Sequence, residues 1–291
     1  KKGIKVEAII DIREQSNTAF TKEAENLGIK VYRSYTVVNT EGHKKINKIT
    51  IMELSGDGQS FANQEKINLD CDCLAIAGGW TPAVHLFTQS GGKLRFREKD
   101  QVFIPDIYPS DQISIGSSNG DFELDDITKN STKSLKEFLN IKETEFDNLK
   151  IKCPKDNEIR TIWLLPSDKV LGKTKPFVDY QNDATAKDIK LALREGFRSI
   201  EHVKRYTTTG MGTDQGKLGN MHALGIIAET AGVKMGELGT TTFRPPYTPL
   251  TFGTIVGRNV GEYFDAFRRT PMNDWHIKNK AEFENVGQWK R

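Results

Sequence analysis

Cysteine is scarce in this 291-residue chain, which carries only Cys71, Cys73 and Cys153. Disulfide frameworks and structural zinc sites both need more thiols at other spacings. Cys71 and Cys73 form a C-x-C on an apolar stretch, where alternation points both side chains the same way and predicts small buried hydrophobes. The five histidines (43, 85, 202, 222 and 276) make no i, i+4 pair, so no metal centre is expected. Long apolar runs are missing too: LAIA and GIIA are far too short to span a bilayer. No sign of charge dominates. A net charge of +3 with 28% charged residues leaves no basic footprint for nucleic acid. Such sparing cysteine use fits a reducing cytoplasm. The sequence opens on KKGIKVEAII without Met and ends on VGQWKR, and the expectation is an internal piece of a longer protein.

What is present begins as an α/β pattern. IKVEAIIDI (4–12), the capped stretch SNTAFTKEAENLG and IKVYRSYTVV predict strand, helix and strand, a parallel unit. INKITIMEL and INLDCDCLAIA read as two further strands, with SGDG as a hairpin signal between them. DQISIG predicts another strand, and a polar helix is expected at about 124–140. Two of these strands end in glycine, LAIAGGW (74–80) and ISIGSSNG (113–120). In open α/β sheets ligands bind beyond the carboxyl ends of strands, where glycine lets the backbone approach a phosphate or ring. Gly78, Gly79 and Trp80, with Gly116, Ser117 and Asn119, are therefore candidates for a nucleotide. Asp11 is placed to bond an adenosine ribose, whereas Arg13 would suit a 2′-phosphate, which leaves NAD and NADP both open. The plainer alternatives are tight turns, a helix-leading acid, and a Trp80 that plugs the gap between sheet and helix.

Residues 151–176 are irregular, marked by Pro154, Pro166 and Pro176, with short strand pieces such as RTIWLL. A helical module follows. Thr185 and Asp188 resemble a capping box, and Ile189, Ala192 and Leu193 make the apolar face of the first helix. SIEHVKRYT keeps Ile200, Val203 and Tyr206 on one side, and GNMHALGIIAETAG is a third helix. Between the second and third lies TTTGMGTDQGK (207–217). A P-loop would need glycine where Met211 stands and Ser or Thr where Leu218 stands, and Gln215 breaks the dinucleotide fingerprint. GTTTFRPPYTPLTFG (239–253) is expected to be extended because of its prolines. GRNVGEYFDAF predicts a short helix, and a further helix from about Asn273 and an apolar strand open a new unit.

Several of these segments together resemble the alpha subunit of heterotetrameric sarcosine oxidase. They are EAIIDIR, CDCLAIAGGWTPAVHLFTQSGG, the run from FVDYQNDATAKD to TGMGTDQGK, GTTTFRPPYTP and RTPM-DWH…FENVGQWKR. The resemblance implies an α/β chain in three parts. Residues 1–150 would be the C-terminal part of a Rossmann-like pyridine-nucleotide domain. Residues 151–238 would be a linker and a small all-helical [2Fe–2S]-ferredoxin-like module, and 239–291 the connector and beginning of an aminomethyltransferase-like, folate-binding domain. Ferredoxin modules of that type place two cysteines before the first helix and two after the second. VDYQND and TDQGK stand there without a cysteine, so no cluster is expected. Asp214, Gln215 and Lys217 then either bond neighbouring backbone or a partner subunit, or are solvated.

The resemblance further implies that the chain binds NAD, contributes to a site for FMN shared at a subunit interface, and lies beside a tetrahydrofolate chamber. FAD and the oxidation of the amine would belong to a partner subunit, in an assembly with beta, gamma and delta chains. No residue is assigned a covalent catalytic role. Thr240, Thr241, Thr242 and Arg244 offer hydroxyls and a guanidinium to a flavin phosphate or an interface carboxylate, or else simply pin two domains together. Subunits of opine, proline and related amine dehydrogenases, and a purely structural subunit, are the competing readings.

Overall fold

A computed structural model describes residues 3–16, 18–109, 111–142, 149, 151, 159–167, 173–258, 261 and 267–291. β1 (Ala8–Asp11) and β2 (Lys30–Arg33) pair in parallel, as the apolar runs predicted, from Ala8 opposite Lys30 to Asp11 opposite Arg33. α1 (Ala19–Asn26) makes the crossover, and Thr18 caps it by accepting the Thr21 N–H at 3.1 Å. The single strand expected after Ile29 is broken at Ser34, whose φ of 60° turns the chain. β3 (Tyr35–Gly42), β4 (Ile46–Glu53) and β5 (Ile67–Asp70) then form an antiparallel sheet in that order. Tyr32, Ile49 and Ile51 are the buried centre of this region, with Ile10, Val37 and Leu69 packed around them.

Two sequence expectations fail here for one reason. The strand expected to run through Cys73 to Ala77 stops at Asp70, which pairs with Lys48 only two residues from the start of β4. An apolar run without a neighbouring strand has nowhere to place its N–H and C=O groups in a ladder. Cys71 is therefore half-buried and Cys73 exposed, rather than both buried. Cys153 lies outside the described residues. DQISIG likewise forms no strand, and neither does RTIWLL.

The chain continues through α2 (His85–Gln89) into an antiparallel hairpin of β6 (Lys93–Arg97) and β7 (Val102–Ile107). A 3-10 turn at Gly116–Asn119 precedes α3 (Leu124–Leu139), the expected polar helix, none of whose residues is fully buried. β8 (Phe177–Asp179) and β9 (Ala184–Thr185) lead into α4 (Ala186–Arg194), α5 (Ile200–Thr207), α6 (Asn220–Ala231) and α7 (Met235–Leu238). The capping box forms in full, with Asp188 and Thr185 exchanging side-chain-to-backbone bonds. Ile189, Ala192, Leu193, Ile200, Val203 and Leu224 are buried together, and Phe103, Trp163 and Phe96 join them. Tyr206 departs from the expected face: it is exposed and stacks on Phe197 at 4.8 Å. Gly225 is required where it stands, because a Cβ there would sit 2.0 Å from the Trp163 ring.

The chain divides into two compact units, Lys1–Tyr247 and Thr248–Arg291. The second contains α8 (Phe252–Val256), α9 (Asn273–Lys278), and a short antiparallel pair, β10 (Asn285–Val286) and β11 (Trp289–Lys290). The segment 239–253, expected to be extended, holds no helix over 239–251, but its last two residues, Phe252 and Gly253, already belong to α8; α9 begins at Asn273 as expected. The short helix predicted over GRNVGEYFDAF falls mainly outside the described residues.

Candidate functional site

The loop TTTGMGTDQGK is anchored first to the start of the helical module. Asp179, buried at the end of β8, accepts the Gly210 N–H at 2.7 Å and the Gln181 N–H at 2.8 Å. Gln181 Oε1 in turn accepts the Thr213 hydroxyl at 3.2 Å and the Asp214 N–H at 3.4 Å. The two segments that the resemblance aligned with cluster cysteines are thus joined by hydrogen bonds. Gly210 and Gly216 sit at positive φ, and a Cβ on either would fall within 2.4 Å of the Asn220 amide. That close approach lets Asn220 donate to the Thr241 hydroxyl at 3.0 Å.

Thr241 belongs to a strap, residues 240–247, which the same loop and α5 hold down. Glu201 accepts the Thr242 N–H at 2.7 Å and Lys204 donates to the Thr242 carbonyl at 3.2 Å, so one residue of the strap is gripped by both its backbone groups. Burial holds the Lys204 pKa below its ordinary value. Gln215 accepts the Arg244 N–H at 3.4 Å. Lys217 donates to the Tyr247 carbonyl, with its ammonium 3.9 Å from the centre of the Tyr247 ring. Both loop side chains bond neighbouring backbone, the first of the alternatives the sequence left open.

Between strap, loop and the 81–85 segment lies a cavity of about 30 Å³, lined among others by Thr81, His85, Lys217, Asn220, Thr240 and Thr241. His85 is 7% exposed, packs its ring 3.9 Å from that of Phe243, and meets no hydrogen-bond partner at either ring nitrogen among the described residues. Burial lowers its pKa to about 4, Lys217 pushes the same way, and Asp214 opposes them. The imidazole is therefore neutral at pH 7. Of the four strap residues singled out from sequence, Thr240 and Thr241 line this cavity. Thr242 and Arg244 are exposed and meet the helical module through backbone groups. Sequence reasoning missed His85, Glu201, Lys204 and Asn220, because nothing in AVHLFTQ, SIEHVKRYT or GNMHALG marks a residue whose partner lies elsewhere in the chain.

The nucleotide candidates form a different arrangement. Asp11 and Arg13, read as alternatives, are partners: Arg13 Nη2 donates to Asp11 Oδ2 at 2.7 Å and Nε donates to Oδ1 at 3.0 Å. Burial alone would raise the Asp11 pKa, but the hydrogen bonds from Arg13 and Ser16 outweigh it and hold the carboxyl below its usual value. Arg160 ties this corner to the next turn, donating to the carbonyls of Ile12 and Ser55 at 2.5 and 2.6 Å. Gly78 and Gly79 have open space where a side chain would stand, and Trp80 is 83% exposed, so it plugs nothing. Gly116, Ser117 and Asn119 form the 3-10 turn before α3, and Arg97 fixes its end by donating to the Gly120 carbonyl at 2.6 Å. Among the described residues no hydrogen bond joins 78–80 to 116–119.

Comparison with known proteins supplies the context for both arrangements. The sarcosine oxidase A3 domain family matches residues 173–258, which hold the loop and the strap. The chain is 37% identical to the alpha subunit of sarcosine oxidase from Corynebacterium sp. (strain P-1) over 98% of its own length. It is 35% identical to that of Rhizobium meliloti (strain 1021) over 99%. It spans about 30% of the length of these relatives. An opine oxidase subunit of the same Rhizobium is 34% identical over 74 residues, 25% of this chain and 16% of that protein. The crystal structure of L-proline dehydrogenase from P. horikoshii shares the fold at a TM-score of 0.55 and 20% identity, over 87% of this chain and 50% of that one. Through nearly all of its length, then, the chain is homologous to the alpha subunits of sarcosine oxidases.

Proposed function

We propose that this chain is part of an alpha-type subunit of a cytoplasmic, multi-subunit amine oxidase, an oxidoreductase acting on CH–NH donors such as sarcosine. The observation that carries the reading is the reach of the similarity: it extends over 98–99% of the chain for the sarcosine oxidase subunits but over 25% for the opine oxidase subunit. In this reading residues 1–150 bind NAD, 151–238 form the cysteine-free helical module, and 239–291 begin the folate-binding domain. The amine is oxidised at FAD in a partner chain, in company with beta, gamma and delta subunits. The products are glycine, hydrogen peroxide and methylene-tetrahydrofolate.

For NAD, the open backbone at Gly78 and Gly79 and the turn at Gly116, Ser117 and Asn119 are suited to close approach by a dinucleotide. Trp80 presents an exposed ring for stacking. Arg13 is tied to Asp11, which favours a ribose hydroxyl at Asp11 over a 2′-phosphate at Arg13. For FMN, the strap offers the hydroxyls of Thr240, Thr241 and Thr242 and the guanidinium of Arg244, of which Thr242 and Arg244 are exposed and open to a partner subunit. When bound, the flavin would supply the electron transfer to oxygen, and the residues here bind and orient it. The test is to assay the full-length protein by itself and assembled with its partners for sarcosine-dependent peroxide formation. Activity from the assembly alone, with methylene-tetrahydrofolate formed when tetrahydrofolate is added, is the expected result. Turnover by the isolated protein would refute the division of labour.

A further inference from the structure

The peptide group between Ile12 and Arg13 is held at both of its ends. Its N–H donates to Asp11 Oδ1 at 2.9 Å, and its C=O accepts from Arg160 Nη1 at 2.5 Å. The two bonds share one planar, conjugated group. A guanidinium on the carbonyl therefore polarises the N–H and strengthens its bond to the carboxylate. The same carboxylate takes the Arg13 side chain, with Nε at 3.0 Å and Nη2 at 2.7 Å, which folds that guanidinium back over Asp11. Arg160 comes from 148 residues further along the chain. It stands behind both groups on which a choice between a ribose hydroxyl and a 2′-phosphate turns.

Arg160 is itself fixed. Its Nη2 donates to the Ser55 and Gly56 carbonyls at 2.6 and 2.9 Å. That turn is stiff by its own bonds: the Ser55 hydroxyl donates to Asp57 at 2.6 Å and accepts the Ser60 N–H at 3.1 Å. Two residues beyond Arg160, Ile162 lies against Gly58, where a Cβ would fall 2.9 Å from its Cδ1, and Trp163 lies against Gly225 of α6. The guanidinium is thus an abutment for the loop after β1, not a passenger on it. Arg33 holds the far end of that loop, donating to the Ser16 carbonyl at 3.3 Å, four residues beyond Ile12.

We propose that Arg160 is a positioning residue for nucleotide choice: by holding the Ile12–Arg13 peptide it keeps Arg13 folded onto Asp11, so that this corner accepts an unphosphorylated adenosine ribose and disfavours a 2′-phosphate. The inference rests on the NAD reading above and deepens it. With Arg160 in place, the Asp11 carboxylate accepts a ribose hydroxyl and repels a phosphate, while the Arg13 fork is spent on Asp11. Without it the peptide turns, Arg13 separates from Asp11, and a planar guanidinium becomes available to the 2′-phosphate.

The experiment is equilibrium dialysis of NAD and of NADP against the full-length protein, for wild type, Arg160→Gln, Arg160→Lys and Arg33→Gln. Wild type is expected to hold NAD more tightly. In Arg160→Gln the ratio of the NADP Kd to the NAD Kd should fall about tenfold or more, the scale of one charge-assisted bond. Arg160→Lys keeps a charged donor but cannot span both sets of carbonyls, and should lie between the two at about threefold. It decides the matter if the glutamine variant does not fold. A loosened loop by itself would weaken both nucleotides alike, and that is the result expected of Arg33→Gln. A ratio unchanged in the folded Arg160 variants, an equal fall in Arg33→Gln, or a wild type that holds both nucleotides alike overturns the proposal and leaves the NAD reading standing. A wild type that binds neither nucleotide overturns both.

Discussion

The cavity beside α6 and the glycine turns at 78–80 and 116–119 differ in how they are built. The cavity is assembled from residues 81–85, 216–224 and 240–243, brought together by a strap gripped at Thr242 and by a helical core. The glycine turns are contiguous in sequence and open in space, with Ile76 and Trp80 each 83% exposed. A site of the first kind has its residues positioned by packing. A site of the second kind has its backbone shape set locally but gains walls only from a ligand or from more protein. The comparison therefore predicts opposite responses to mutation in the two regions.

The largest effect belongs to the core that carries the cavity. Leu224→Ala should cost about 3 kcal/mol, the usual range for a buried leucine, whereas Ile76→Ser should change stability by no more than about 0.5 kcal/mol. Hydrogen exchange of the α6 amides in the full-length protein would read the difference, and equal effects would erase the contrast. Next comes pH. The folded pKa of His85, about 4, lies below the ordinary value of 6.5. The unfolded chain thus binds the proton more readily. The associated stability is fully present above pH 6.5 and is lost as pH falls towards 4. His85→Phe should flatten that part of the stability profile. Thr185→Ala removes half of the capping box and should cost about 1 kcal/mol, read as a shift in the denaturant midpoint. Glu201→Gln should cost less than about 1 kcal/mol overall but speed proteolytic cleavage in the strap, because the Thr242 N–H loses a charged acceptor. Asp11→Asn should keep the fold but cost about 1 kcal/mol through the loss of the bidentate pair with Arg13, and weaken NAD binding, read by equilibrium dialysis on the full-length protein.

How much of this was legible in the sequence follows the same division. The Thr185–Asp188 capping box and the helical faces were readable because each depends on neighbours three or four residues apart, and the β1–α1–β2 unit because two short β-branched runs flank a capped helix. The glycine-ended segments could be picked out as loops for a similar reason. The strand expected past Asp70 failed because an apolar run says nothing of whether another strand lies beside it. The β6–β7 hairpin went unread because its turn, EKDQ, carries no glycine or asparagine; Gln101 takes the left-handed conformation itself, at φ 55°. The cavity was least legible of all. His85 stands more than a hundred residues before Lys217 and Thr241, and only the fold places the three around one space. TTTGMGTDQGK could be excluded as a P-loop from its letters, but its role as a clamp on the strap rests on partners outside it.

The most direct test of the account is a cofactor inventory of the full-length protein, purified by itself and then with its partners. Denaturation, chromatography and metal analysis would score NAD, flavin and iron. The account predicts NAD released from the isolated protein without iron or acid-labile sulfide, and FMN appearing only in the assembly. Stoichiometric iron and sulfide, or flavin held by the isolated protein in place of NAD, would contradict it.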